Sequence, residues 1–288
     1  MDKSEVAVII PCYNSSRFIR KTIDSVFNQA YEDLEVVAID DGSKDETREI
    51  LEGYLPKIRI LHHPGNANLG EGASMNLGII ETGSDLIAFL DHDDIWYPNK
   101  IKEQVGVFQK YPDVDLVYTN GYVIDENDNI LYKMLPDNFQ EENVPGKILL
   151  NCYIRTTSSV MVRRSLINGI GSFNTDLYTV DHELWVRMSE VGRFFYLPEH
   201  LTGYRCHGTG QKSLNRKMWE DEFILLREAC KRYPYGVDLK RRRLAVLYYR
   251  LGEFDWNHND YFRAVTNYFL AGILDPFRAI QWIINKAS

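Results

Sequence analysis

In the first third of the chain, four short apolar runs each end at a polar cluster, and amphipathic stretches separate them. That alternation leaves few folds open. A strand without polar positions must be covered on both faces, and crossover helices provide that cover. Val6-Ala7-Val8-Ile9-Ile10 is the first such run, and Pro11 is expected to end it. A helix follows in which Ile19, Ile23, Val26 and Ala30 share a face. Val36-Val37-Ala38-Ile39 runs into Asp40-Asp41-Gly42-Ser43, where Ser43 and Glu46 make a candidate capping box for a helix through Ile50, Leu51 and Tyr54. A third strand is read at Ile58-Arg59-Ile60-Leu61. A glycine-rich turn (Gly65, Gly70, Gly72) then leads to a helix with Ala73, Leu77 and Ile80 on one face and Gly83 at its end. Leu86-Ile87-Ala88-Phe89-Leu90 runs into Asp91-His92-Asp93-Asp94, and Pro98 opens a helix that Pro112 closes. The spacing predicts an α/β fold with a doubly wound, mostly parallel sheet.

The second half is less regular. Strands are expected at Val114 to Thr119, Ile130 to Lys133, Ser158 to Val162, Phe194 to Leu197 and Gly203 to Cys206, with a helix from Asp181 to Glu190. From about Arg216 onward the periodicity is helical throughout, and Leu251-Gly252, Ala264, Tyr268, Ala271 and Pro276 resemble one tetratricopeptide helix pair. The expected division is an α/β domain over 1–212 and a helical extension over 213–288.

Composition narrows the function. A net charge of −8 opposes nucleic-acid binding, which needs a basic face. The basic run Lys240-Arg241-Arg242-Arg243 is short, and fits either a solvated helix face or contact with an anionic membrane surface. The opening residues are charged and then apolar for about five residues, too few for a signal peptide's apolar region. No stretch reaches the roughly 20 apolar residues that cross a bilayer. Cys12, Cys152, Cys206 and Cys230 show no paired spacing and are expected to be free thiols in a reducing cytoplasm.

The residues that carry chemistry fall at strand ends. Asn14, Asp40-Asp41 and Asp91 to Asp94 each follow the C-terminal end of an expected parallel strand, the edge at which open α/β sheets bind ligands. So many carboxylates on one edge repel one another unless a cation or many donors stabilise them. Magnesium or manganese, which accepts one or two carboxylates plus diphosphate oxygens, answers that need. Structural roles remain open at this point: Asp40-Asp41-Gly42-Ser43 also reads as a turn and cap, and Asp91 to Asp94 as a solvated loop or helix cap.

Six stretches in order resemble the family 2 inverting glycosyltransferases, which have the GT-A fold. They are Val8 to Asn14, Asp40 to Asp45, Asn68-Leu69-Gly70 through Asn76-Leu77-Gly78, Phe89 to Asp94, Gly171-Ser172-Phe173 to Trp185, and Tyr204-Arg205-Cys206-His207. The resemblance covers roughly residues 4 to 212. It implies that Pro11, Tyr13, Asn14, Asp40, Asp41, Asn68, Gly70, Asn76, Asp91 and His92 line a nucleotide site. It further implies that Asp93 binds Mn2+ or Mg2+ bridging the two phosphates, and that Arg205 or His207 offsets leaving-group charge. Asp181 falls on the general base. Asp94, Thr156, Thr157, Ser158, Glu183 and Trp185 fall on the acceptor or sugar side. Val180 stands where the family usually has Glu, which keeps Glu183 as an alternative to Asp181, and Cys12 stands where Thr or Ser is common. On its own, Asp181 also reads as a helix cap, and His207 as a surface or hydrogen-bonded histidine.

The implied reaction is one direct displacement at the anomeric carbon. Asp181 takes the acceptor's proton while the metal withdraws charge from the departing diphosphate. A nicotinamide dehydrogenase would need a glycine fingerprint where Pro-Cys-Tyr-Asn stands. A haloacid-dehalogenase-like phosphatase would carry its Asp-x-Asp near the N-terminus. A catalytically inactive nucleotide-sugar-binding scaffold would bind donor without turnover. The expected partners are a UDP-sugar donor and a saccharide or lipid-linked saccharide acceptor, as in surface polysaccharide synthesis. The tail residues Tyr268, Phe269, Ile273, Leu274, Phe277, Ile280, Trp282 and Ile283 suit either peripheral membrane contact or packing.

Overall fold

A computed structural model describes residues 5–141, 144–207 and 216–278. The chain divides into two compact units. The first is drawn from Met1–Asn143, Tyr153–Thr175 and Val191–Gln211, the second from Val144–Cys152, Asp176–Glu190 and Lys212–Ser288.

The first unit is built on strands β1 (Val6–Cys12), β2 (Leu34–Asp40), β3 (Arg59–His62) and β4 (Leu86–Phe89), which pair in parallel in the order β3-β2-β1-β4. Their connections are α1 (Ile19–Phe27), α2 (Thr47–Glu52) and α3 (Glu71–Glu81). All seven residues of β1 are buried, as a continuous apolar run requires. The strand runs through Pro11 instead of ending there. Pairing with β4 stops at Ile9, while Pro11 lies in register with Ile39 of β2, so the missing N–H falls where β1 has lost one neighbour.

Two local expectations change. The buried face of α3 runs through Met75, Gly78 and Ile79, while Ile80 is exposed. A Cβ at Gly78 would come within 2.6 Å of Ile9 Cγ2, so the glycine lets the helix lie on the sheet. The capping box of α2 is replaced by Asp45, whose Oδ1 accepts from Thr47 N at 3.0 Å.

Beyond β4 the sheet becomes mixed. It adds β5 (Ile95–Trp96), β6 (Leu116–Ile124), β7 (Ile130–Lys133), β8 (Val160–Arg163) and β9 (Phe194–Arg205). β8 lies antiparallel between β4 and β6, and β9 lies parallel to β6. The two short strands expected at 194–197 and 203–206 are one strand, bent by register shifts opposite Asn120. Thr157–Ser159 forms a 3-10 turn that leads into β8. Helices α4 (Lys100–Lys110), α5 (Pro145–Leu150) and α6 (Arg164–Ile170) fall between these strands in the sequence, and α4 and α6 belong to this unit.

The second unit holds α5, α7 (Val180–Val191), α8 (Arg216–Arg232), α9 (Val237–Asn257) and α10 (Tyr261–Leu274). Gly252 of α9 lies beneath the ring of Tyr268 of α10, where a Cβ would meet Cδ1 at 2.9 Å. Ala264 and Ala271 are buried, while Phe262, Val265, Phe269 and Ile273 leave an exposed apolar stripe on α10 that continues to Phe277.

Candidate active site

Because β1, β2 and β4 are parallel neighbours, their C-terminal ends bring three polar loops to one edge of the first unit. The loops hold one another. Asn14 takes a positive φ of 48°, accepts from Lys44 N through Oδ1 at 2.8 Å, and donates its own N–H to Ser43 Oγ at 3.1 Å. Ser15 N donates to Thr47 Oγ1 at 2.7 Å. Gly42 needs its positive φ of 74°, and a Cβ there would sit 2.5 Å from Asn66 O. Pro11 is buried at the end of β1, and Tyr13 is exposed beside it.

The carboxylates of the second loop are largely engaged. Asp40 accepts from Ser43 N at 2.9 Å and faces Arg48 at 3.3 Å and His62 at 3.5 Å. Asp41 accepts from Leu69 N at 2.7 Å and from Gly70 N at 2.8 Å, and Asn68 Nδ2 donates to its carbonyl at 3.1 Å. The Asp41 side chain thus shapes the glycine-rich loop before α3. Asn76 forms a two-way amide pair with the backbone of Phe173, at 2.9 Å in each direction.

The Asp91-His92-Asp93-Asp94 loop is the most densely built. Asp91 N donates to Ser158 Oγ at 3.0 Å, and Thr156 Oγ1 lies 3.3 Å from Asp91 Oδ2. Asp94 is fully buried. It accepts from Thr156 Oγ1 at 2.9 Å, Ser158 Oγ at 2.6 Å and Arg205 N at 2.9 Å, joining the loop to the 3-10 turn and to the end of β9. Burial first, and then the neighbouring Asp93 carboxylate, push its pKa up to about 7. Thr157 is buried beside it. Asp93 keeps part of its carboxylate open and meets His207 Nε2 at 2.8 Å.

Arg205 is enclosed. Its Nε donates to Asp93 O at 2.6 Å and its Nη1 to Asp125 O at 2.9 Å, and it pairs with Asp128 at 2.6 Å. Two buried polar atoms here, His92 Nδ1 and Arg205 Nη2, have no hydrogen-bond partner among the described residues. Tyr204 carries the electrostatic mark of the cluster: burial, then Asp94, Asp91 and Asp93, push its pKa up to about 12.

Sequence reasoning missed Thr22, whose hydroxyl donates to the carbonyls of His92 at 2.9 Å and Asp94 at 2.8 Å. A signal existed, since Thr22 falls on the α1 face shared by Ile19, Ile23 and Val26. It also missed Lys100, fully buried with its Nζ 4.2 Å from the Trp96 ring and 2.7 Å from Gln104 Oε1.

Three expected residues lie in the second unit, on α7. Asp181 stands in its first turn, half-buried. Glu183 is buried and meets Arg187 Nε at 2.9 Å. Trp185 is fully buried, so in this structure its ring meets protein alone.

Residues 7–171 match the glycosyl transferase family 2 description. The chain belongs to glycosyl transferase family 2. An uncharacterized glycosyltransferase of Rickettsia prowazekii is 31% identical over 79% of this chain and 77% of its own length. Further Rickettsia relatives are longer, and the chain covers between 31% and 64% of them. Among solved structures, S. aureus TarS in complex with UDP-GlcNAc aligns at TM-score 0.70 and 19% identity, covering 96% of this chain and 82% of that one. Mannosyltransferase PcManGT from Pyrobaculum calidifontis, in complex with GDP-Man and Mn2+, aligns at TM-score 0.66 and 17% identity, covering 100% and 80%. The fold of this glycosyltransferase is GT-A, as the motifs implied.

Among the described residues no group of three or more His, Cys, Asp or Glu side chains is placed to hold a metal ion. Magnesium and manganese beside a diphosphate are commonly held by one or two carboxylates together with ligand oxygens and water. Asp93 and His207, an oxygen and a nitrogen donor 2.8 Å apart, fit such a shared site.

Proposed function

We propose that this glycosyltransferase takes a sugar from a nucleotide-sugar donor, most simply a UDP-sugar, and transfers it with inversion to an acceptor hydroxyl. The observation that carries the reading is the Asp91-to-Asp94 loop. It lies at the C-terminal edge of the parallel strands, where open α/β sheets bind ligands, with Asp93 and His207 paired and the buried His92 Nδ1 and Arg205 Nη2 without a hydrogen-bond partner among the described residues. The nucleotides bound by TarS (UDP-GlcNAc) and PcManGT (GDP-Man) support a nucleoside-diphosphate ligand.

In this reading the Asn14, Asp40–Asp41 and Asn68–Gly70 loops hold base and ribose, and Asp91 lies near the ribose. Asp93 and His207 would hold Mn2+ or Mg2+, which when bound neutralises diphosphate charge. Asp181 takes the proton from the acceptor hydroxyl as that oxygen bonds to the anomeric carbon. The bond from that carbon to the diphosphate oxygen breaks, and its electron pair leaves with the diphosphate. Arg205, enclosed beneath the loop, fixes the backbone at Asp93 and Asp125.

A saccharide acceptor on a lipid carrier suits the exposed stripe of α10, which would meet a membrane surface peripherally. No helix among the described residues is long and apolar enough to cross a membrane. Ile280, Trp282 and Ile283 lie outside the described residues.

Calorimetric titration with UDP, dTDP and GDP, each with and without manganese, tests the donor reading. Metal-dependent binding of UDP that is lost in Asp93→Ala is the expected result. Preference for GDP would move the donor class, and no binding of any nucleotide would overturn the reading.

A further inference from the structure

Asp181 is followed on α7 by a histidine with charged surroundings. His182 is buried, with Nδ1 2.9 Å from Glu222 Oε1 and Nε2 2.9 Å from the carbonyl of Ile148. A carboxylate and a carbonyl both accept and neither donates, so both ring nitrogens must carry protons. Glu222 also accepts from Arg243 Nη2, and Arg243 Nη1 donates to Leu150 O at 3.0 Å. One residue before Glu222, Asp221 accepts from Tyr178 N at 2.7 Å and so fixes the approach to α7. Asp221, Glu222 and Arg243 are all buried. The first turn of α7 is therefore tied to α5, α8 and α9 by one continuous charged network inside the second unit.

A buried ion network of this kind adds little net stability, since desolvation offsets the attraction, and its best-attested use is to fix one arrangement. The arrangement fixed here is the turn that presents Asp181.

We propose that Glu222 is a positioning residue for sugar transfer: through His182 and Arg243 it locks the first turn of α7 and thereby the carboxylate of Asp181. The inference rests on Asp181 being the base. It makes α8 and α9 part of the catalytic apparatus instead of an appended tail.

The test compares Glu222→Gln, His182→Asn and Asp181→Asn with the wild type. The readouts are UDP affinity by calorimetry, UDP release from UDP-glucose and UDP-N-acetylglucosamine with water as acceptor, and amide hydrogen exchange over residues 176–190. Glu222→Gln is expected to keep UDP affinity, lose turnover by about tenfold or more, as a displaced catalytic group does, and raise exchange across the first turn of α7. Its rate–pH profile carries a further signature. The groups facing His182 are Glu222, Arg243 and the Ile148 carbonyl, with Asp181 and Glu183 beside it in sequence. Removing Glu222 removes what holds the imidazolium, so the alkaline limb moves to lower pH. His182→Asn keeps the Glu222–Arg243 pair, guards against misfolding of the first variant, and should show the same turnover loss without that limb. Wild-type turnover in both variants, or unchanged exchange in both, overturns the proposal, as does parallel loss of UDP affinity and turnover. If Asp181→Asn itself turns over normally, the base assignment fails instead. Where no donor is turned over, the exchange measurement alone decides.

Discussion

His207 Nε2 lies 2.8 Å from Asp93 Oδ2, so the residues just beyond β9 reach back to the acidic loop after β4. Phe18 supports the contact from the start of α1, its ring centroid 4.8 Å from that of His207. If a metal assists nucleotide binding as proposed, this pair is where substitution tests it without touching the rest of the loop. In Asp93→Asn, manganese should no longer raise UDP affinity. In His207→Ala the affinity for UDP with manganese should fall about 10- to 100-fold, the usual effect of losing a partner that orients a ligand. Titration calorimetry with and without the metal reads both, and an undiminished manganese effect in both variants would exclude this pair as the metal site.

Asp41 offers a separable test of the glycine-rich loop. Both of its oxygens accept backbone N–H groups, from Leu69 and Gly70. Asp41→Asn sets an amide donor against one of those N–H groups. Leaving a buried donor unmet costs about 1–3 kcal/mol, so the urea midpoint should drop accordingly. An unchanged midpoint would mean the loop is held by other contacts.

Gly121 on β6 has no room for a side chain, since a Cβ there would overlap the Thr202 carbonyl and the Met134 methyl. Gly121→Ala should destabilise the first unit by about 1–3 kcal/mol, the usual cost of overpacking. A melting temperature equal to the wild type would show that β6 and β9 can part without penalty.

His182 gives stability a pH dependence with a defined sign. Burial opposes its charge, yet Glu222 and the Ile148 carbonyl hold its pKa above 6.5. A group with a raised folded pKa contributes fully below its unfolded value and loses that contribution as pH climbs through the folded one. Relative to His182→Asn, the wild type should therefore lose stability as pH rises from about 6.5, the ordinary histidine value, into the alkaline range. Urea unfolding at several pH values measures this, and the opposite slope would mean that the ring is neutral in the native protein.

Much of the polar edge at the ends of β1, β2 and β4 was legible because its signals are local. A run such as Leu86 to Leu90 that stops at Asp91 fixes both a buried strand and the place where it ends. The bonds that assemble the site are long-range and leave no periodic trace. Asp94 meets Arg205 N from far along the chain, and Asn76 meets Phe173. The helices α5 and α6 escaped because each is under two or so turns long and carries no capping side chain. β9 read as two strands because Pro198, Glu199 and His200 interrupt its apolar pattern, whereas in the fold the register shifts against β6 absorb the interruption.

The reach of Arg243 to Glu222 and to the Leu150 carbonyl sets an order of events during synthesis. The ribosome releases α7 well before it releases α9, an interval of a few seconds at roughly 5–20 residues per second. Until Arg243 emerges, Glu222 lacks that partner, so the turn bearing Asp181 gains this clamp after α7 and α8 have been made. The loops after β1, β2 and β4 are thus made well before the first turn of α7 gains this ion pair, so the two are expected to settle in that order.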